Sequence, residues 1–201
     1  MAETMIASEI TDGQIENAVE KLRAAIRKHR SEISSEVAQR VLGVENLGME
    51  MFAVLRNHVE WMGSMIVRRV AVNRTRTPQE ALNATGRKQY TTDDVVVVMP
   101  KGEGDEAEVH FFKLGRYVSD ADLEKEYGLR GLKPADPFSL AAVNEADPNF
   151  ADEHPNGTHW QDANGKWCYM AFSRWGGGRS LDARRRVSGW SGHWWFAGLR
   201  K

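Results

Sequence analysis

Apolar side chains in the first third of the chain recur at steps of three and four residues, the spacing of one face of an α-helix. With the flanking caps, this pattern predicts three helices, over residues 11–30, 34–42 and 45–62. The first helix carries its apolar stripe at Ile15, Val19, Leu22 and Ile26. Because the connections are short, we expect a small antiparallel bundle whose core is made of these stripes. The alternative is that a stripe contacts a partner or a second copy of the chain.

From Met65 the pattern changes to a mixture of strands and short helices. Residues 91–99 fit two structures, since their valines favour a strand, whereas Asp93 and Asp94 after a threonine favour a helix start. We predict one short helix there. The other predicted elements are a first strand over 65–73, a helix with a capping box over 77–86, a strand over 107–114, and helices over 119–128 and 136–147.

A β-hairpin is predicted at Asn164-Gly165, because both residues accept the positive φ of a type I′ turn. In a two-residue turn Trp160 faces Tyr169, and in a four-residue loop Trp160 faces Trp167. Both loops have even length, so both place Trp160, Trp167 and Tyr169 on one face of the hairpin. The other face then carries His159, Gln161, Cys168, Met170 and Phe172.

A strand over residues 193–199 closes the chain. Its alternation sends Trp195, Ala197 and Leu199 to one face and Trp194 and Phe196 to the other. Apolar side chains on both faces are typical of a strand with neighbours above and below it. The fold class is therefore predicted as α+β, with a helical subdomain over 1–63. A mixed domain over 64–201 follows and ends in a tryptophan-rich antiparallel sheet.

Bulk composition narrows the class of protein. The 201 residues carry a formal net charge of −1, so no overall charge draws the chain to nucleic acid or to a membrane. The single cysteine fits a reducing compartment. The first ten residues lack the basic and apolar regions of a signal peptide, and no apolar run is long enough to span a bilayer. We expect a soluble, cytoplasmic protein that does not enter a membrane.

The residues in and before the hairpin offer two candidate chemistries, metal binding and nucleophilic catalysis. Asp152, Glu153, His154 and His159 cluster, but their spacing matches no zinc pattern, so no metal and no cofactor is predicted. Cys168 and His159 share a hairpin face in either even-length register, which would suit a thiolate–imidazole pair. A lone cysteine beside Met170 and Phe172 is nevertheless typical of core packing. No catalytic residue is therefore assigned.

The sequence thus favours a non-enzymatic interaction module that binds a protein partner or a second copy of itself. The alternative function is binding of single-stranded nucleic acid, because arginines lie among tryptophans near the C-terminus. A cysteine-dependent hydrolase is the third hypothesis. The predicted contact surface lies on the hairpin and on a basic loop that follows it, with candidate binding residues Trp160, Trp167, Tyr169, Arg184, Arg185 and Arg186.

Overall fold

The computed structural model describes residues 9–186 and 188–201, apart from the side chain of Trp175. The chain divides into two compact units, Met1–Leu55 and Arg56–Lys201. The predicted boundary between residues 63 and 64 stays a prediction. So does the absence of a signal peptide, because most of the first ten residues lie outside the described part of the chain.

The N-terminal unit consists of helices α1 (Asp12–Lys28), α2 (Ser35–Leu42) and the first part of α3 (Leu47–Gly63), with a short 3₁₀ turn between α1 and α2. Thr11 caps α1 in the reciprocal arrangement with Gln14. None of the described residues in these helices is buried. The predicted bundle core is therefore wrong, because the apolar stripes face solvent instead of one another.

The second unit is a mixed sheet with helices on both faces, which confirms the α+β class. Its strands, among the described residues, are β1 (Ile66–Ala71), β2 (Lys88–Thr91), β3 (Glu106–Lys113), β4 (Leu132–Pro134), β5 (Asn156–Gln161), β6 (Trp167–Trp175), β7 (Gly178–Arg185) and β8 (Trp195–Arg200). They lie in the order β1-β3-β8-β5-β6-β7-β2, with β4 also beside β8. The pairs β2–β7 and β5–β8 are parallel, and the other pairs are antiparallel.

Two hydrophobic cores lie on opposite faces of this sheet. The first face is covered by α4 (Pro78–Ala84), α5 (Asp93–Val96), α7 (Pro137–Ala146) and α8 (Phe150–Glu153), and the second by α6 (Asp120–Leu129) and the Trp190 segment. Strand β8 contributes Ala197 to the first core and Phe196 to the second, as its alternation predicted. The short helix predicted within residues 91–99 is α5. In the described part of the chain, no helix has the length and apolar content needed to cross a bilayer.

The β5–β6 hairpin differs from its predicted register. Trp160 pairs with Cys168 and Gln161 pairs with Trp167, so the loop between the strands has an odd length. Trp160 and Trp167 therefore lie on opposite faces of the sheet, and the prediction that they share a face is wrong. The same shift places Cys168 and His159 on opposite faces.

The side chain of Asp162 explains the odd-length loop. Its Oδ1 accepts hydrogen bonds from the backbone N–H groups of Asn164 and Lys166, each at 2.9 Å. Gly165 follows with a φ of 72°, the left-handed conformation that completes a three-residue hairpin loop with a bulge. The dipeptide thus makes a hairpin, but one extra residue enters the loop and reverses the face of every residue beyond it.

Strand β7 is a second departure from the sequence prediction. Gly176 and Gly177 have φ values of 57° and 83° and connect β6 to β7 as a two-residue hairpin turn. Arg184 and Arg185 consequently lie in a strand, paired with Tyr169 and Cys168, and the predicted basic loop is wrong at these two positions. Their alternation now decides which arginine faces which side of the sheet.

Candidate functional site

The sheet divides the predicted binding residues into two groups. Trp167, Tyr169, Arg184 and Arg186 share the face that carries α6, because Tyr169 pairs with Arg184 and the N–H of Arg186 donates to the carbonyl of Trp167 at 2.8 Å. Trp160 lies on the opposite face, buried in the first core. Arg185 also lies on that face, where it forms ion pairs with Asp94 and Asp162.

We name the group on the α6 side the aromatic–basic surface, and it consists of Tyr90, Trp167, Tyr169, Arg184 and Arg186. Tyr90 joins it from β2, because the Arg184 Nε donates to the Tyr90 carbonyl at 3.0 Å and the guanidinium lies 5.6 Å from the ring centroid. Tyr90 is exposed, whereas Trp167 and Tyr169 are half-buried. The surface thus presents aromatic rings and the Arg184 guanidinium to solvent along strands β2, β7 and β6.

Two shallow clefts open beside this surface. One has a volume of about 450 Å³ and is lined by Tyr169, Arg184 and Arg186 among others. The second, of about 540 Å³, lies between Trp167 and the start of α6 and is also lined by Arg186. Arg186 borders both clefts, but it is largely buried, with its guanidinium 3.9 Å from the Trp190 ring and 4.8 Å from the Tyr169 ring. Burial lowers the pKa of Arg186.

A buried hydrogen-bond network underlies the aromatic–basic surface. Asp120, at the first position of α6, accepts from the Trp190 Nε1 at 2.9 Å and lies 2.7 Å from the His159 Nδ1, both contacts being made by its Oδ1. The His159 Nε2 lies 3.1 Å from a Glu124 carboxylate oxygen. The imidazole also stacks on the Trp167 ring at 4.6 Å between centroids. His159 is thus held between two carboxylates with no exposed side-chain surface.

The electrostatics of the network favour a protonated His159 beside an ionised Asp120. Burial lowers the pKa of His159, but the hydrogen bond to Asp120 and the nearby carboxylates of Asp120 and Glu124 outweigh it, so that the pKa lies above its ordinary value. Burial raises the pKa of Asp120, and the hydrogen bonds from His159 and Trp190 more than offset that effect and lower it. Because His159 is enclosed, it cannot touch a dissolved substrate, and we assign the network to positioning α6 and Trp190.

Sequence reasoning missed Asp120, Glu124 and Tyr90 as neighbours of the candidate residues. Asp120 is 39 residues from His159 and 70 from Trp190. Tyr90 reaches the surface only through the parallel pairing of β2 with β7. No local pattern could indicate these contacts, since each depends on how distant elements pack or pair in the fold.

Cys168 lies in the first core beside Met170 and Phe172, as the packing interpretation of the cysteine predicted. Burial raises the pKa of its thiol, which lowers the fraction of reactive thiolate at neutral pH. His159 belongs to the opposite face, so the predicted Cys168–His159 proximity is wrong. The hypothesis of a cysteine-dependent hydrolase therefore loses the Cys168–His159 contact on which it depended.

The acidic and histidine residues around position 153 are engaged in other contacts. The carboxylate of Asp152 pairs with Arg179 at 2.9 Å, and the His154 ring stacks on Trp195 at 5.0 Å between centroids. Within residues 9–186 and 188–201, no group of three or more His, Cys, Asp or Glu side chains is arranged to hold a metal ion.

Another cleft, of about 990 Å³, lies between the end of β1 and α7. Two of its arginines are already neutralised, Arg74 by Asp136 at 2.8 Å and Arg76 by Glu145 at 2.6 Å. The residues that line it include no histidine, cysteine or lysine.

The N-terminal helices present a different kind of surface. The four stripe residues of α1 are 42–47% exposed, and α2 and α3 expose apolar residues in the same way. Seventeen large apolar side chains between residues 10 and 62 are exposed, namely Ile10, Ile15, Val19, Leu22, Ile26, Ile33, Val37, Val41, Leu42, Val44, Met49, Met51, Phe52, Val54, Leu55, Val59 and Met62. Soluble monomers rarely leave apolar side chains exposed at this density.

Comparison of the chain with protein families, with curated proteins and with solved structures finds no match.

Proposed function

We propose that this protein is a non-enzymatic interaction module that self-associates through the apolar faces of its N-terminal helices. The observation that carries the proposal is the exposure of the stripes on α1, α2 and α3, none of whose described residues is buried. Each stripe has the helical spacing of a face that is normally covered, and in α1 all the charged residues lie outside the stripe.

The energetics of short helices support this proposal. Isolated helices below about 12–15 residues are marginal in water, and α2 has only 8 residues. Helices in proteins are stabilised chiefly by packing of their apolar face, at about 25 cal/mol per Å² of buried apolar area. An assembly that covers the stripes would supply that stabilisation, which the N-terminal unit does not supply to itself.

The test is the mass of the full chain in solution, measured by sedimentation velocity from about 1 to about 300 μM, a range that brackets weak interfaces. We expect assembly that grows with concentration. A variant with one stripe residue of each helix made polar, Leu22→Ser, Val41→Ser and Val54→Ser, should remain monomeric. A matched control carries serine at Ala24, outside the stripe of α1. A wild-type chain that stays monomeric throughout the range would overturn the proposal.

Single-stranded nucleic acid is the second candidate ligand, and the aromatic–basic surface supports it. Tyr90 and Tyr169 could each stack on a base, at about 1–3 kcal/mol per base, while Arg184 neutralises a phosphate. The partial cover of Tyr169 and the nearby carboxylate of Asp182, 3.5 Å from Arg184, weaken this candidate. We therefore rank it second and expect no binding.

Labelled single-stranded DNA and RNA, titrated at two salt concentrations, test this candidate. If it is correct, affinity falls steeply with salt and is lost in the variant Tyr90→Ala/Arg184→Ala, whereas Arg69→Ala at the far sheet edge leaves it unchanged. Arg185 and Arg186 are unsuitable for this test because both are held in internal contacts. The absence of binding at low salt would remove the candidate.

A cytoplasmic location remains part of the proposal and rests on the one cysteine, which is free and buried. A cysteine-dependent hydrolase is not proposed.

A further inference from the structure

Helix α1 has a polarised charge pattern along its length. Its first half carries only acidic charges and its second half only basic ones, namely Asp12, Glu16 and Glu20 followed by Lys21, Arg23, Arg27 and Lys28. The side chains of Arg23 and Glu20 are 50% and 60% exposed, although they contact each other across one turn. Two copies aligned in parallel would place like charges side by side, whereas an antiparallel alignment places acid against base.

The apolar stripe of α1 follows the 4-3-4 spacing of a coiled-coil seam. In heptad positions, Ile15 and Leu22 occupy d, and Val19 and Ile26 occupy a. In an antiparallel pair, residues at position a of one helix lie beside residues at position d of the other. One alignment makes every layer match, with Ile15 against Ile26 of the second copy and Val19 against Leu22 of the second copy.

The same alignment satisfies the positions that flank this seam. Glu16 and Arg23 both occupy position e, so Glu16 of each copy lies beside Arg23 of the other. On the opposite flank, Ala18 lies beside Ala25 of the second copy, and these small side chains allow the helices to approach closely. At each end of the seam, Asp12 meets His29 of the second copy.

We propose that α1 is the self-association surface and that it pairs antiparallel with α1 of a second copy of this chain. This inference rests on the proposed function and adds the element, the orientation and the residue pairing. The pairing is isologous, so each Glu16–Arg23 contact occurs twice in the dimer. A helix of 17 residues buries a small area, so the dimer is weak and the sedimentation range given above suits it.

Charge reversal tests the orientation without disturbing the apolar seam. Glu16→Arg places arginines against arginines, and Arg23→Glu places glutamates against glutamates, so each variant alone should dimerise at least about tenfold more weakly than wild type. An equimolar mixture of the two variants restores two opposite-charge contacts. We expect the mixture to form heterodimers with an affinity within about threefold of the wild-type homodimer.

Two controls accompany this experiment. Lys21→Glu changes the charge by the same amount as Arg23→Glu but at heptad position c, away from the seam, and should leave dimerisation near the wild-type level. Far-ultraviolet circular dichroism of each variant checks that α1 still forms.

The outcomes separate this inference from the proposed function. If the wild type assembles and both reversals assemble equally well, the α1 pairing is wrong, while self-association through other helices stands. If both reversals weaken assembly but the mixture does not recover it, the antiparallel alignment is wrong. A wild-type chain that is monomeric at the highest concentration overturns both.

Discussion

We expect Asp120→Ala to destabilise the second unit more than any other single carboxylate removal on α6. The substitution removes the acceptor of the Trp190 Nε1 and of the His159 Nδ1, at 2.9 and 2.7 Å, and leaves both donors buried. It also removes the carboxylate nearest to the Arg186 guanidinium, 3.9 Å away. Two buried donors would thus lose the acceptor they share, and Arg186 would lose a neighbouring negative charge.

The magnitude follows from these contacts. A hydrogen bond to a charged group contributes about 1.5–3 kcal/mol, and breaking a buried ion pair from one side costs about 3–5 kcal/mol. We therefore expect the free energy of unfolding to fall by about 3–5 kcal/mol. With a urea dependence of about 1–3 kcal/mol per M, the midpoint of unfolding should shift by about 1–3 M.

The assay is urea unfolding at about pH 6, followed by tryptophan fluorescence, because Trp190 lies in the network. The matched control is Asp122→Ala, which removes a carboxylate from the same first turn of α6, where its partners are Ser119 and Lys125 at the surface. Its effect should be much smaller. If the two alanine variants unfold at the same urea concentration, the network does not contribute as argued.

The remaining predictions concern pH, packing and the thiol. The raised pKa of His159 stabilises the fold below pH 6.5, and this contribution is lost as pH rises through the folded-state value. The lowered pKa of Asp120 stabilises it above pH 3.8, and that contribution is lost as pH falls through the folded-state value. His159→Gln should therefore cost most between pH 3.8 and 6.5 and less as pH rises through the folded-state value of His159, and a pH-independent cost would contradict this. Gly157→Ala would bring a Cβ within 2.8 Å of the Trp190 ring and should lower the free energy of unfolding by about 1–3 kcal/mol, where an unchanged urea midpoint would refute the contact. Cys168 should react slowly with a thiol probe in the native protein and rapidly in urea, and rapid native labelling would refute its burial.

Local sequence signals predicted most elements of this fold. The predicted helix start at Thr11 and the predicted capping box at Thr77 begin α1 and α4, since the contacts of each cap form within one turn. Alternation in the last strand assigned Trp195 and Phe196 to the correct faces because the period of a strand is two residues. These signals depend only on neighbouring residues, which is why the elements they indicate could be predicted.

The hairpin shows what local sequence signals cannot predict. The hairpin does turn at Asn164-Gly165. Whether its loop has an even or an odd number of residues depends on the hydrogen bonds between the Asp162 side chain and the backbone. One additional loop residue moves Trp167 to the face of His159 and Trp160 into the opposite core. Pairings between distant strands, such as β2 with β7, have no local signal at all.

The sequence predicted where the apolar stripes of the N-terminal helices lie. It did not determine what covers them. A helical period indicates a face that is covered, and it does not identify what covers it. The sequence interpretation chose an internal core, whereas Val19 and Leu22 remain exposed within the chain. Only the accessible area of the folded chain distinguishes a bundle core from a contact surface.

The central claim is that these stripes become buried when copies of the chain meet. Amide hydrogen exchange of the full chain at about 1 μM and at about 300 μM tests it directly, because association raises the free energy of local opening. We predict slower exchange at the higher concentration in residues 12–42 and unchanged exchange in the sheet. Equal exchange of residues 12–42 at both concentrations would contradict the claim.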